Sequence, residues 1–268
     1  MMRTVGCIGC GNMGGAILGG LADALGGKGY AFCGHTRTPE RMAPLAEKGV
    51  TAVSGALSLA QCADVIVLAV KPHHIAAVVE EILPALGRDK LLISIAAGIS
   101  LKRLREVSRN LCPVVRCMPN TPALAGKGVF AVCLEDEALR RENRDEVLAL
   151  FGVLGLCLPL PEERFTAFSA LIGAGPAYVF AMMQGMVQAG VTLGFPCREA
   201  RRLVVALFDG SAALAGERPE HLAQLREAVC SPGGLTIAGI NVLDRAGLAG
   251  LLVEAVLAAD ARGREMEE

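Results

Sequence analysis

Gly9-Cys10-Gly11-Asn12-Met13-Gly14 is the first place in this chain where residue type and spacing could do chemistry. In a G-x-G-x-x-G run the first glycine makes a tight turn and the second lets a pyrophosphate approach the backbone. The third lets a helix pack closely on a strand. The N-terminus of that helix then attracts phosphate charge. Position makes the hexapeptide specific: Val5-Gly6-Cys7-Ile8 before it reads as a strand, and a helix follows through about Leu25. The competing reading is a glycine-rich turn that binds nothing. A chain that binds NAD usually carries Asp or Glu roughly 20 residues further on, for the ribose hydroxyl. Here that region is Cys33-Gly34-His35-Thr36-Arg37-Thr38, without an acid. The Thr36 hydroxyl and the Arg37 guanidinium suit a 2′-phosphate, so NADP(H) is the expected cofactor and NAD(H) the second choice.

Three further segments hold groups that could meet a substrate or the reacting end of a cofactor. Ala69-Val70-Lys71-Pro72 stands at the carboxyl end of the apolar run 65–70, where doubly wound sheets bind ligands. Arg116-Cys117-Met118-Pro119-Asn120-Thr121-Pro122 contains two X-Pro steps and reads as a stiff loop able to hold a nicotinamide or a substrate. A rigid connection with no chemical task is its alternative. Cys230-Ser231-Pro232-Gly233-Gly234-Leu235-Thr236-Ile237-Ala238-Gly239 joins two helical stretches. Its glycines free the backbone, and Ser231 and Thr236 can donate hydrogen bonds at a helix start, which makes a carboxylate cradle. A plain Pro-Gly turn with capping hydroxyls would look the same. Cys7-Ile8-Gly9-Cys10 is formally a C-x-x-C, but no second pair or histidine cluster follows at zinc spacing. His73 and His74 read as a surface pair at a helix start, and no metal is expected.

These segments need elements to position them. Residues 30–33, 65–70 and 91–95 are apolar runs of strand length, and the run at 65–70 is what a strand buried on both faces of a parallel sheet looks like. Residues 39–47 read as a helix with Thr38 as N-cap and Pro39 in its first turn. Pro72 opens another. Strand and helix in alternation mean an α/β domain with a mostly parallel sheet. After about Leu160 no strand-type run is apparent, and residues 162–171, 176–193, 198–215 and 235–259 (in two pieces) read as helices. The expected fold is α/β plus all-α, with a Rossmann-type doubly wound sheet over residues 1–160 and an all-helical half over 161–268. Pro159 and Pro161 mark the boundary.

Composition narrows the functional classes. The 268 residues are 53% hydrophobic and 20% charged, enough to bury a core and to exclude disorder over most of the length. Lys plus Arg is 26 and Asp plus Glu is 27, a net charge of -1. That argues against a binder of nucleic acid or of a membrane surface through overall positive charge. The ten cysteines follow no secretory signal, so reduced thiols in a cytoplasmic protein are expected. Residues 165–197 carry no charge and are long enough to span a bilayer. A helix apolar all round also fits burial against a second subunit, and no topology signals flank it, so a homodimer is expected and a membrane span is not.

Taken together these motifs resemble the pyrroline-5-carboxylate reductases over nearly the whole chain. The resemblance rests on residues 9–14, Ala69-Val70-Lys71-Pro72, Ser94-Ile95-Ala96-Ala97-Gly98, residues 116–122, Gly173-Ala174-Gly175-Pro176-Ala177-Tyr178 and residues 231–236. That family commonly has Ser-Gly-Ser-Gly-Pro where Leu171-Ile172-Gly173-Ala174-Gly175-Pro176 stand here, and Thr or Ala in place of Leu235. The resemblance implies hydride transfer from NADPH to a protonated five-membered cyclic imine, giving L-proline. It implies that Gly9, Cys10, Gly11, Asn12, Met13, Gly14, Thr36, Arg37, Ala69, Val70, Lys71, Pro72, Ala96 and Ala97 contact the cofactor. The substrate would be bound by Ser231, Gly233, Gly234, Leu235 and Thr236, its carboxylate held by the amides of Leu235 and Thr236 with help from Ser231, and Thr236 would place its hydroxyl by the imine nitrogen as the catalytic group. Asn120 and Lys71 would border the nicotinamide, Asn120 also touching substrate. It further implies interleaved helical halves in a dimer, alone or in a ring of dimers, with the loop at 231–236 of one subunit against the cofactor of the other. A β-hydroxyacid dehydrogenase on the same plan would want Lys or Asp in the helix at 165–171, which has neither. A non-catalytic NADP(H) sensor would have no reason to keep residues 231–236.

Overall fold

The computed structural model describes residues 2–267. The chain divides into two compact units, one running through Gly173 and including the residues from Asp260 onward, the other Ala174–Ala259.

The first unit is built on one sheet. Its strands are β1 (Arg3–Ile8), β2 (Tyr30–His35), β3 (Thr51–Ala52), β4 (Val65–Leu68), β5 (Leu91–Ser94), β6 (Val114–Met118), β7 (Gly128–Cys133) and β8 (Gly155–Pro159). Their order is β3-β2-β1-β4-β5-β6-β7-β8. The first six are parallel; β7 runs antiparallel to β6, and β8 parallel to β7. The helices are α1 (Asn12–Leu25), α2 (Ala43–Ala46), α3 (Ala56–Cys62), α4 (Ile75–Ile82), α5 (Leu101–Val107), α6 (Arg141–Gly152) and α7 (Phe165–Phe168).

The strand sequences read as continuous apolar runs because both faces of the sheet are covered. In β4, Val65 and Val67 enter one core with Ile17, Leu18 and Phe151, while Ile66 and Leu68 enter the other with Leu59, Val79 and Phe165. Polar ties fasten the covering segments to the sheet. Arg3 grips Glu146 through two nitrogens at 3.0 and 2.7 Å. Buried Arg116 on β6 donates to Glu162 at 3.1 Å and lies 4.7 Å over the Phe165 ring. Glu162 also accepts from the Leu101 amide, which ties the turn before α7 to the start of α5.

The second unit holds α8 (Gly175–Thr192), α9 (Cys197–Glu217), α10 (Leu222–Ala228), α11 (Leu235–Arg245) and the first part of α12 (Leu248–Glu267). Gly190 lets α8 and α9 approach closely: a Cβ there would sit 3.0 Å from that of Ala200. No α8 side chain is buried within the single chain, and Phe180 is 61% exposed.

Several elements differ from expectation. Residues 116–118 belong to β6 rather than to a loop; Pro113 and Pro119 bracket the strand instead of breaking it. The strands β3, β7 and β8 extend the sheet beyond the runs singled out in the sequence. Residues 39–42 wind as a tight 3-10 turn before α2, and Thr38 makes no side-chain cap; its amide instead donates to Thr36 Oγ1 at 3.4 Å. A π turn, Ser169–Gly173, follows α7; α10 is additional, and the last helix runs on to Glu267.

Candidate functional site

The register of the sheet brings the candidate residues into one row. Ile8 pairs with His35 and with Leu68, Leu68 pairs with Ser94, and Ser94 pairs with Arg116. The residues that follow, Gly9, Thr36, Ala69, Ile95 and Cys117, therefore lie side by side at the carboxyl edge. The chain leaves β1 toward β2 and β3 and returns to β4 on the other side, so the crevice between β1 and β4 is the switch point where doubly wound sheets bind ligands.

The glycine loop has the shape its spacing demands. Gly9 has φ +99°, and its amide donates to the His35 carbonyl at 2.8 Å. A Cβ at Gly14 would lie 2.4 Å from the Gly9 carbonyl oxygen and 2.6 Å from the Ala69 Cβ. The N-terminus of α1 thus packs directly on the ends of β1 and β4, and its first-turn amides have no partner within the helix. These residues fit a pyrophosphate: backbone donors, room made by glycines, and the positive end of a 14-residue helix. Cys7 and Cys10 do not disturb it, since their thiols donate to the carbonyls of Gly14 (3.7 Å) and Cys7 (3.5 Å). The Cys10 thiol is held below its usual range by the Cys7 side chain, while Cys7 is pushed up by the same contact and by burial.

Thr36 and Arg37 follow β2 directly, with Arg37 exposed and in no ion pair among the described residues. The sequence reading overlooked Arg41. The turn Pro39–Met42 swings its guanidinium over the loop, where it donates to Asn12 Oδ1 at 3.2 Å and stands 3.4 Å from where a Gly11 Cβ would be. An arginine one turn beyond Arg37 was the available signal. Lys71 and Pro72 lie exposed past β4, followed by His73 and His74 with rings 4.2 Å apart. The His74 imidazole is held below its usual range by partial loss of solvent and by the charges of His73 and Arg37. The cationic groups after β2 and β4 thus feel one another. Ala96 is buried and Ala97 exposed just beyond β5.

Asn120 is 7% exposed and its amide is engaged at both ends. Oδ1 accepts from the Val129 amide at 2.9 Å and Nδ2 donates to the Ile172 carbonyl at 3.3 Å. It ties β7 to the π turn and is the residue that precedes the 3-10 turn Thr121–Ala125.

In the second unit, Gly233 has φ +69°, and the Gly234 amide donates to the Ser231 carbonyl at 3.0 Å. A Cβ at Gly234 would fall 2.2 Å from Ser231 Oγ, so glycine is what lets the hydroxyl fold over the start of α11. Gly234 is the N-cap, with no side-chain cap, which leaves the amides of Leu235 and Thr236 in the uncapped first turn. The Leu235 side chain is 95% exposed.

Comparison with known proteins follows the same division. A family model described as pyrroline-5-carboxylate reductase dimerisation matches residues 162–266, and one described as NADP oxidoreductase, coenzyme F420-dependent, matches residues 4–98. The pyrroline-5-carboxylate reductase of Escherichia coli (strain K12) is 36% identical over 96% of this chain and 95% of its own length. That of Pisum sativum is 35% identical over 98% and 96%. Among solved structures, a pyrroline-5-carboxylate reductase from Coxiella burnetii superposes with a TM-score of 0.90 at 31% identity, covering 100% of both chains. Plasmodium falciparum pyrroline carboxylate reductase with NADP bound gives 0.87 at 28%, again over 100% of both.

Proposed function

The chain belongs to the pyrroline-5-carboxylate reductase family, and from that premise we propose how its own residues divide the work. The reaction is reduction of L-Δ1-pyrroline-5-carboxylate to L-proline, with NADP(H) as the cofactor. NADPH supplies the hydride when bound; the chain's residues bind, orient and supply hydrogen bonds.

In the first unit, residues 9–14 hold the pyrophosphate through the amides at the start of α1. Thr36 and Arg37 take the 2′-phosphate. Ala69, Val70, Lys71, Pro72, Ala96 and Ala97 border the nucleotide along the strand ends. Asn120 acts by fixing the turn that follows it. In the second unit, the amides of Leu235 and Thr236 at the helix start, with the Ser231 hydroxyl, hold the substrate carboxylate. Gly233 and Gly234 shape that cradle. The Thr236 hydroxyl hydrogen-bonds at the imine nitrogen. The observation that carries this division is the cradle geometry: two glycine-shaped helix starts, one at residues 11–14 and one at 233–235, each with uncapped amides.

We further propose that the apolar run at 162–192, long enough by length and composition to cross a membrane, is covered by a second copy of the chain. The dimerisation match over residues 162–266 and the exposed Phe180, Leu193, Leu214, Leu251 and Leu257 support this. A ring of dimers would bury the same faces. Ten free thiols support a reducing, cytoplasmic setting.

The test is NADPH oxidation by the purified protein with and without L-Δ1-pyrroline-5-carboxylate, with NADH beside it. Substrate-dependent oxidation favouring NADPH is expected. A folded protein that binds NADPH yet leaves the imine untouched would overturn the assignment.

A further inference from the structure

Two thiols outside the reaction lie against each other. Cys33 on β2 is buried, Cys62 at the end of α3 is exposed, and their sulfurs are 3.8 Å apart. Cys62 donates to the Leu59 carbonyl at 3.3 Å, so its sulfur is free to accept from the Cys33 thiol. The pair thus joins an accessible sulfur to a shielded one. Cys7 and Cys10, another close pair, are both buried.

We infer that Cys33 and Cys62 form a redox-closed pair, converted to one disulfide by a small-molecule disulfide such as oxidised glutathione. The exposed Cys62 sulfur attacks oxidised glutathione, forming a mixed disulfide and releasing one glutathione thiolate. Cys33 then attacks the Cys62 sulfur and releases the second. Two protein thiols lose two electrons and two protons, and one oxidised glutathione becomes two reduced ones. The sulfurs must close from 3.8 Å to about 2.05 Å. The backbone there is held, with Ala63 buried and its amide on the Leu59 carbonyl at 2.9 Å, so the sulfurs close by rotation of the exposed Cys62 side chain.

The disulfide would close residues 33–62 into a loop. That loop carries Thr36, Arg37 and Arg41, the segment given above to the cofactor's 2′-phosphate and phosphate loop. Cys33 lies in the core with Leu59 and Ala60, whereas Cys10 of the glycine loop belongs to the opposite core. Closure therefore staples the β2–α3 segment from the face away from the glycine loop, and acts on its stability rather than on turnover. Burial, then the neighbouring Cys62, pushes the Cys33 thiol up to about 12, which slows the second exchange step. That step should quicken roughly tenfold per pH unit through the neutral and mildly alkaline range.

The full-length protein is treated with oxidised glutathione, then examined by intact mass, non-reducing peptide map and thermal melt, with dithiothreitol as the reference. Expected are a mass loss of two hydrogens per chain, one linked peptide joining Cys33 to Cys62, and a melting midpoint higher by roughly 5–10 °C. Cys62→Ser should lose the link and the shift, and Cys33→Ser should stop at a glutathione adduct on Cys62. A wild-type protein that keeps a glutathione adduct on Cys62 at alkaline pH without closing would overturn the inference. So would a link through other cysteines only, or a Cys33–Cys62 link with no rise in midpoint. The readouts are mass and melting, so they do not depend on which substrate the enzyme reduces.

Discussion

Substitution of Gly14 by Ala isolates the glycine loop as the cofactor's anchor. The added Cβ would lie 2.4 Å from the Gly9 carbonyl oxygen and 2.6 Å from the Ala69 Cβ, against an ordinary limit of 3.4 Å. Both neighbours are held: one is backbone at φ +99°, and the other follows β4 with its amide on the Ile8 carbonyl at 2.9 Å. The start of α1 must therefore move out by about 1 Å, enough to lengthen a hydrogen bond of about 2.9 Å past its useful range. Losing one or two charge-assisted bonds to the pyrophosphate costs about 1.5–3 kcal/mol each, so the NADPH Kd should rise at least roughly tenfold. Overpacking should also destabilise the unit by about 1–3 kcal/mol. Gly15→Ala is the control, because its Cβ would meet nothing closer than the Cys10 carbonyl oxygen at 3.7 Å. Within a helix that change should stabilise by up to about 1 kcal/mol. NADPH titration by fluorescence and a thermal melt measure both variants. A Gly14→Ala protein with wild-type Kd and midpoint would refute the packing reasoning.

Arg37→Ala should raise the KM for NADPH roughly tenfold or more while changing that for NADH less than twofold, and an equal effect on both would remove it from the 2′-phosphate. Thr236→Ala should lower kcat/KM for the imine by about 1–3 kcal/mol in transition-state terms, with NADPH binding unchanged; an unaltered kcat/KM would rule out a direct role for the hydroxyl. Phe180→Asp, which puts a charge on the exposed face of α8, should raise the subunit dissociation constant roughly a hundredfold or more, read by light scattering across a dilution series. A mass that stays constant on dilution would place the interface elsewhere.

What the sequence disclosed depended on how far each feature is set by the local chain. The runs at 65–70 and 91–95 were legible because two covered faces leave no polar alternation; the strands end sooner, at Leu68 and Ser94, with every residue of β4 and β5 buried. The strand β6 escaped because the X-Pro steps at Pro119 and Pro122 look like loop markers when only the sequence is in view, although both stand beyond the strand's end at Met118. The strand β3 spans Thr51–Ala52 alone, too short for any periodicity to show. The helix α10 is also short, and its cap is the His221 ring nitrogen accepting from the Ala223 amide, a residue type not normally read as a cap.

The sites divide along the same line. Glycine loops are legible because the requirement is written into the residue itself: φ +99° at Gly9 and φ +69° at Gly233 lie where side chains are strained. Polar side chains carry no such mark. Asn120 has the chemistry of a ligand-binding amide, and its ties to Val129 and Ile172 could not be read from its residue type. Arg41 looks like any solvated charge until the turn Pro39–Met42 carries it onto Asn12. In this chain, then, a backbone constraint identifies a site from sequence, whereas a side chain's task depends on partners that only the folded chain brings within reach. Cys33 and Cys62 follow the same rule: 29 positions apart in sequence, they meet only because α3 packs under β2.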